Sequence, residues 1–175
     1  MKKIIVLFVL ATLTVSCGSL FELLELKIEN DLTEDIDVSV PKTAGVTGTF
    51  NLTETLDLRA GDFAEYVDKI TAVKINTFNY KYKDFIGNAN GVVTSGTLKF
   101  DDVVVGTVTN LNISQAATAA TVFEITDANV LSQLEDAFVN NSSTTITLSG
   151  NVLSEAGPMD FKVEVNISLT VTVKE

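Results

Sequence analysis

The chain has 175 residues, with 23 acidic and 12 basic side chains, a net charge of −11, one cysteine and no histidine. This length fits one domain with a short additional segment. Without histidine, Ser-His-Asp and Cys-His catalysis are excluded, and one cysteine cannot form an intrachain disulfide or a cysteine-based zinc site. The acidic balance also argues against nucleic acid, whose phosphates need clustered lysine and arginine. We therefore expect no catalysis, no cofactor and no nucleic-acid partner.

The first 17 residues have the pattern of an export signal. Two lysines precede an apolar run from Ile4 to Leu13, and small residues then lead to Cys17. The run is shorter than the ~20 apolar residues of a spanning helix. A short apolar core between lysines and small residues is typical of a secretory signal peptide.

The end of this segment resembles the signal of bacterial lipoproteins. Ser16 and Cys17 match that motif, whereas Leu13 lies one place upstream of the usual leucine position, which Thr14 occupies. The resemblance implies cleavage before Cys17 and acylation of its thiol, and two or three acyl chains give stable anchoring. It predicts a signal peptide at 1–16 and a lipidated N-terminus at 17–20. The alternative is a secreted protein with an incidental free cysteine.

The resemblance also predicts a location in the cell envelope. Loss of Lys2 and Lys3 with the signal would change the net charge from −11 to −13. Anionic lipid surfaces repel so acidic a domain, so the acyl chains would have to hold it at the membrane. Gly18 and Ser19 follow the cysteine where an acidic residue could stand, as in lipoproteins sent to the outer membrane. We expect an outer-membrane lipoprotein that faces the periplasm.

After this segment, the dominant pattern is the period-two alternation of antiparallel strands with one wet face. Met159–Val173 is the longest case, with apolar residues at every odd position. Its length predicts a strand that bends or is shared between two sheets. Turn residues at 154–158 predict a hairpin with Thr144–Leu153, and a change of parity at Thr77-Phe78 predicts a bulge. No linker divides residues 21–175, which predicts a single domain.

Two stretches depart from the strand pattern. Residues 63–70 and 130–138 carry apolar side chains at the spacing of one helical face. The second has Thr126 or Asp127 as its N-cap and Asn140-Asn141 as a left-handed stop. The predicted fold is mainly β: an antiparallel β-sandwich, Ig-like or jelly-roll-like, with two short helices.

The densest acidic cluster is a candidate calcium site, since calcium prefers several carboxylate oxygens. It consists of Asp31, Glu34, Asp35 and Asp37. The alternative, which we favour, is that acidic residues on turns and wet strand faces keep an exported domain soluble. We therefore predict no metal site, with these four residues as the remaining candidates.

One strand-like stretch, KINTFNYKYKDF, holds the basic-aromatic patch of this acidic chain. Its candidate residues for binding a glycan or an acidic partner are Lys74, Tyr80, Lys81, Tyr82 and Lys83. The structural alternative, which we favour, places the tyrosines inside the sandwich. Lys81 and Lys83 would then face water and pair with acidic neighbours across the sheet.

These observations predict a lipid-anchored cell-envelope binding or structural module without catalysis. It would contact an envelope protein, a glycan or cell-wall material through a sheet face or a loop end. The alternative is a periplasmic carrier or chaperone for a lipid or other apolar ligand, which requires a cavity between helix and sheet. An enzyme with paired carboxylates ranks last, because no spacing in the sequence singles out such a pair.

Overall fold

The fold is seen in a computed structural model that describes residues 25–41, 48–57, 64–141, 143–153 and 158–174. The predicted signal peptide, the lipidated N-terminus with Cys17 and the first residue of the predicted 63–70 helix lie outside these residues. Every structural statement below refers to the described part of the chain.

Eight strands form most of the described chain, so the prediction of a mainly β fold is confirmed. They are β1 (Glu25–Val40), β2 (Gly48–Asp57), β3 (Ile70–Ile86), β4 (Val92–Phe100), β5 (Val103–Asn112), β6 (Val122–Glu124), β7 (Ser143–Leu153) and β8 (Met159–Lys174). Two α-helices follow β5 and β6 respectively: α1 (Ile113–Thr118) and α2 (Ala128–Asn140). A short 3-10 helix precedes β3 (Val67–Lys69).

The strands form two four-stranded sheets, one in the order β1-β8-β3-β6 and the other in the order β2-β7-β4-β5. All pairings are antiparallel. Most connections pass from one sheet to the other, so strands that are far apart in sequence become neighbours. Two four-stranded sheets with this order form a jelly roll. The topology therefore decides between the two predicted kinds of sandwich.

Strand β8 lies in the middle of the first sheet, and its odd positions from Met159 to Val173 are all buried, as the alternation predicted. It stays in that sheet along its length, paired with β1 and β3, so the prediction that it is shared between two sheets is wrong. The predicted hairpin between β7 and β8 is also wrong, because β7 pairs with β2 and β4 in the second sheet. Alternation defines which face of a strand is buried, but not which strand lies beside it.

The predicted bulge is confirmed by a shift in the β3–β8 register between Ile75 and Thr77. Beyond the bulge, Phe78 points into the core and contacts Phe100 of the second sheet edge-to-face, with 5.2 Å between the ring centres. Phe50 and Phe161 form a similar contact at 6.0 Å. Both aromatic pairs join the two sheets across the core.

Of the two predicted helices, the second is confirmed as α2. The Asp127 carboxylate caps it, accepting hydrogen bonds from the backbone N–H groups of Asn129 and Val130 at 2.8 and 3.2 Å. The predicted left-handed stop is wrong, because Asn141 is extended at φ −126° and ψ 130°. The chain there proceeds directly toward β7.

The first predicted helix, 63–70, is wrong in the part that is described. The 3-10 helix covers only Val67–Lys69, and Ile70 already begins β3. Helix α1, in contrast, was not predicted, and it follows β5 directly. The Asn112 side chain ends that strand by accepting a hydrogen bond from the backbone N–H of Gln115 at 2.9 Å. An asparagine that caps in this way is a local sequence signal for the start of a helix.

Candidate functional site

The four candidate calcium residues do not share one surface. Asp31, Asp35 and Asp37 face solvent on β1, whereas Glu34 points to the opposite face of the strand. Burial raises the pKa of Glu34, and the negative charges of Glu54 and Asp35 raise it further. No group of three or more acidic or cysteine side chains within the described ranges could hold a metal ion.

The five residues of the basic-aromatic patch also point to opposite faces of β3. Tyr80 and Tyr82 are each only 4% exposed, and the Tyr80 ring stacks on Phe123 at 5.0 Å. Burial raises the pKa of both tyrosine hydroxyl groups. Lys81 and Lys83 lie on the outer face, as the structural alternative predicted.

Each lysine of the patch is paired with a carboxylate. Lys81 and Lys83 both contact Glu164 of β8 at 2.6 Å. Lys83 also contacts Asp35 of β1 at 2.8 Å, and Lys74 contacts Glu135 of α2 at 2.9 Å. The outer face of the first sheet therefore carries charges that largely neutralise one another.

The outer face of the second sheet has a different composition. We call the set of side chains named in the next sentence the hydroxyl grid. Three neighbouring strands contribute to it: Thr49, Asn51 and Thr53 from β2, Thr147, Ser149 and Asn151 from β7, and Ser95, Thr97 and Lys99 from β4. Lys99 is its only charged side chain. The grid therefore combines a nearly uncharged surface with a dense array of hydrogen-bonding groups.

The register of the strands aligns the grid in three rows. Asn151 lies between Thr49 and Ser95, Ser149 lies between Asn51 and Thr97, and Thr147 lies between Thr53 and Lys99. In each strand these residues alternate with inward-facing neighbours such as Leu98 and Leu148, which are buried. The apolar side of the same alternation thus fixes the direction of the polar side chains.

Part of the grid lies in a shallow groove with a volume of about 490 Å³. All grid residues except Thr53 line this groove, together with Phe50, Gly96 and Gly150. A Cβ atom at Gly150 would lie only 2.5 Å from Cζ of Phe50 and 2.7 Å from the backbone oxygen of Ser95. Glycine is therefore required where these strands approach closely, and the register shift between Val93 and Ser95 bends β4 at the same place.

Most hydrogen-bonding groups of the grid are available to a ligand. Asn151 donates a side-chain hydrogen bond to Oγ of Ser95 at 2.8 Å. Among the described residues, the other grid side chains make no hydrogen bond or ion pair with the protein. Each hydroxyl or amide can both donate and accept a hydrogen bond, so the face offers binding capacity without a fixed charge.

Two other spaces are less suited to binding a ligand. A space between the sheets beside Tyr80 and Tyr82 measures about 10 Å³, barely enough for one water molecule. An open depression of about 550 Å³ lies beside Asp101, Asn140, Asn141 and Ser143. The Asp101 carboxylate there accepts hydrogen bonds from Thr144 Oγ1 and the Thr145 backbone N–H, each at 2.9 Å, which gives it a structural role.

Sequence reasoning did not predict the grid as a site. A usable signal is present, since the wet positions of residues 49–53 and 145–151 are threonine, serine or asparagine without a charge. Which strands lie side by side cannot be obtained from that signal, and only the register brings the polar positions into one surface.

Within the described residues, no helix is long and apolar enough to cross a membrane.

Comparison with known proteins gives structural similarity only. No family model matches the chain, and no curated protein sequence matches it. A decameric BFDV capsid protein has a TM-score of 0.43 at 10% identity, over 83% of this chain and 99% of that chain. A Desmodium yellow mottle tymovirus structure has a TM-score of 0.33 at 8% identity, over 83% and 85% of the respective chains. An Israeli acute paralysis virus particle has a TM-score of 0.34 at 11% identity, over 84% and 75%.

Proposed function

We propose that this chain is a lipid-anchored module of the bacterial cell envelope that binds an envelope partner through the hydroxyl grid and performs no catalysis. The observation that supports this most is the division of charge between the two outer faces. Charged groups of the first sheet pair with one another, as Lys83 does with Asp35 and Glu164. The second sheet instead presents a groove with unengaged hydroxyl and amide groups.

The proposed anchor and the proposed binding face are compatible in space. Strand β1 begins at Glu25, a few residues after Cys17, and runs to Val40. At ~3.4 Å per residue, sixteen residues extend over roughly 50 Å. A Cβ atom at Gly48 would lie 2.7 Å from Val40, so β2 starts at the end of the sandwich that is distant from Glu25. The Thr49 row of the grid therefore lies toward the end of the sandwich that is distant from Glu25, the described residue nearest in sequence to Cys17.

Anchoring is tested by labelling cells that express the full chain with a palmitate analogue. We expect the wild-type protein to carry the label and to be recovered in the membrane fraction, because acyl chains must hold so acidic a domain at a lipid surface. Cys17→Ala should abolish both. Labelling that persists in Cys17→Ala would exclude the lipid anchor.

Binding is tested with the full lipidated protein in nanodiscs, mixed with envelope fragments from cells that lack it. We expect Thr97→Glu to reduce co-sedimentation at least tenfold, since it places a carboxylate in the middle row of the grid. Thr77→Glu is the matched control, because Thr77 is exposed on β3 of the other sheet. Equal binding by the wild type and Thr97→Glu would contradict a role for the grid.

The carrier alternative stays a prediction. The small volume of the space beside Tyr80 and Tyr82 does not favour it, since an acyl chain needs far more room. Mass spectrometry of the purified protein would support a carrier if it detected a stoichiometric apolar ligand.

A further inference from the structure

We infer that the hydroxyl grid binds an uncharged glycan, a neutral chain of hydroxyl-bearing sugar units. This inference rests on the proposed function, because it names the ligand class of the same face. It follows from the charge of the grid, from its hydrogen-bonding groups and from the apolar side chains at its border.

The charge of the grid matches a neutral ligand. In a chain with a net charge of −11, the grid contains no carboxylate and one lysine. A cationic ligand would find no carboxylate within the grid. An anionic ligand would find only Lys99 and would approach an acidic molecule against its overall field. A neutral ligand incurs neither penalty.

The hydrogen-bonding groups match sugar hydroxyls. Threonine and serine hydroxyls donate and accept, and the amides of Asn51 and Asn151 provide both functions at fixed positions. Neighbouring strands are ~4.8 Å apart and successive outward residues of one strand are roughly 7 Å apart. The bond between Asn151 and Ser95 shows that groups on adjacent strands are close enough to engage one ligand hydroxyl together.

Apolar side chains border the grid where the C–H faces of sugar rings could pack. Val104 of β5 pairs with Lys99, so it lies at the end of the third row. Leu153 lies two residues after Asn151, on the same face of β7. They are 43% and 46% exposed. Exposed apolar residues next to polar groups suit a ligand with both kinds of surface.

The composition is less suited to other macromolecules. The cores of protein interfaces are rich in tyrosine, tryptophan, methionine and arginine and poor in serine. None of the enriched residues belongs to the grid, and Phe50, which lines the groove, is only 8% exposed. Nucleic acid would require clustered cations, and the grid supplies one.

The inference is tested with full-length, detergent-solubilised protein on immobilised polysaccharides. The neutral probes are dextran, mannan and xyloglucan together with an array of uncharged oligosaccharides, and the charged comparators are alginate and chitosan. We expect binding to at least one neutral probe, unchanged between about 0.05 and about 0.5 M NaCl because no ion pair is involved. Binding to charged probes alone, or binding that falls steeply with salt, would overturn the inference.

Isosteric variants link the binding to the grid. Thr97→Val and Thr147→Val each remove one hydroxyl and keep the side-chain shape and strand preference, so both should fold. Each lost hydrogen bond of about 1 kcal/mol corresponds to roughly a fivefold weaker affinity. Thr77→Val, on the other sheet, should bind as the wild type does. Variants that melt as the wild type does and bind with unchanged affinity would contradict the assignment.

The outcomes separate this inference from the proposed function. Envelope binding that depends on Thr97, with no binding to any neutral glycan, would overturn the glycan and leave the binding module intact. Absence of envelope binding would overturn the module itself.

Discussion

Glu164 is the residue at which the charges of the first sheet converge. Its carboxylate contacts the ammonium groups of Lys81 and Lys83, each at 2.6 Å, and accepts a hydrogen bond from the Asn166 amide at 3.0 Å. The Lys81 contact is the largest cause, and together these contacts lower the pKa of Glu164 from 4.5 to about 2. Lys83 donates hydrogen bonds to the carboxylates of Asp35 and Glu164, and these bonds raise the pKa of Lys83 in turn.

Glu164→Gln should lower the free energy of unfolding at pH 7 by about 1 kcal/mol, since charged networks of this kind exceed isolated surface pairs only modestly. A carboxyl group with a depressed pKa in the folded state stabilises the fold above its ordinary pKa. That stabilisation is lost as the pH falls from 4.5 toward 2. Urea unfolding of both proteins at pH 7 and at low pH measures the effect.

The difference between the wild type and Glu164→Gln should therefore shrink on acidification. Glu29→Gln is the control, because Glu29 is exposed on β1. A difference that stays constant down to pH values near the folded pKa would show that Glu164 acts through its shape and not through its charge.

Helix α2 covers an otherwise open part of the β3 edge. Strand β6 pairs with Asn79–Lys81, so among the described residues the earlier part of β3 has no strand neighbour on that side. The Glu135 carboxylate of α2 takes this place, accepting hydrogen bonds from the Ile75 backbone N–H and from Lys74 Nζ, each at 2.9 Å. A side chain thus replaces part of the missing strand, and the helix protects the edge from pairing with other chains.

Glu135→Ala should cost about 1–3 kcal/mol, because it leaves the part-buried Ile75 N–H without its acceptor. Asp136→Ala on the same helix is the matched control, since Asp136 is exposed and only its backbone oxygen accepts a bond, from Asn140. Urea unfolding measures the loss, and amide hydrogen exchange should show faster exchange of Ile75. Equal destabilisation by both variants would contradict a stabilising role of the Glu135 carboxylate at the β3 edge.

The described part of the molecule is held together by one core between the two sheets. Phe100 of β4 is 1% exposed and packs against Phe78 of β3, so the contact joins strands of different sheets. All the strands of the described chain contribute to this interior except β6, whose Phe123 packs at its edge. The two sheets should therefore unfold together.

Phe100→Ala should lower the free energy of unfolding by about 3–5 kcal/mol, through lost burial and the cavity that remains. Phe85→Ala, at a half-buried position near the end of β3, should cost clearly less. Far-UV circular dichroism and tyrosine fluorescence should give coincident transitions for Phe100→Ala. The fluorescence reports on Tyr80 and Tyr82 of β3 and on Tyr66, which lies just before β3 and packs against the core. Separate transitions would show that the sheets unfold independently.

Local patterns predicted much of the fold, and their failures have physical causes. The alternation of β8 identified its buried face, and the change of parity in β3 located a bulge between Ile75 and Thr77. Of the two predicted N-caps, Thr126 and Asp127, the second caps α2. The pairing of β7 with β8 was predicted wrongly because turn residues indicate a change of direction and not the sheet to which the next strand belongs.

The candidate sites show the same division. Parity alone placed Tyr80 and Tyr82 inside and Lys81 and Lys83 outside, which the structure confirms. The convergence of both lysines on Glu164 required the register of β3 against β8. The hydroxyl grid was missed because its three segments are separated by about forty or more residues in the chain.

By itself, the sequence determined a mainly β chain with defined wet and dry strand faces, since alternation acts through neighbouring residues of one strand. It also contains the residues that resemble a lipoprotein signal and the uncharged composition of three separate strand faces. Only the tertiary structure decided the jelly-roll order, because strand partners are selected by packing between distant segments. That selection brings Thr49, Asn151 and Ser95 into one row and makes a surface from side chains that are scattered in the sequence.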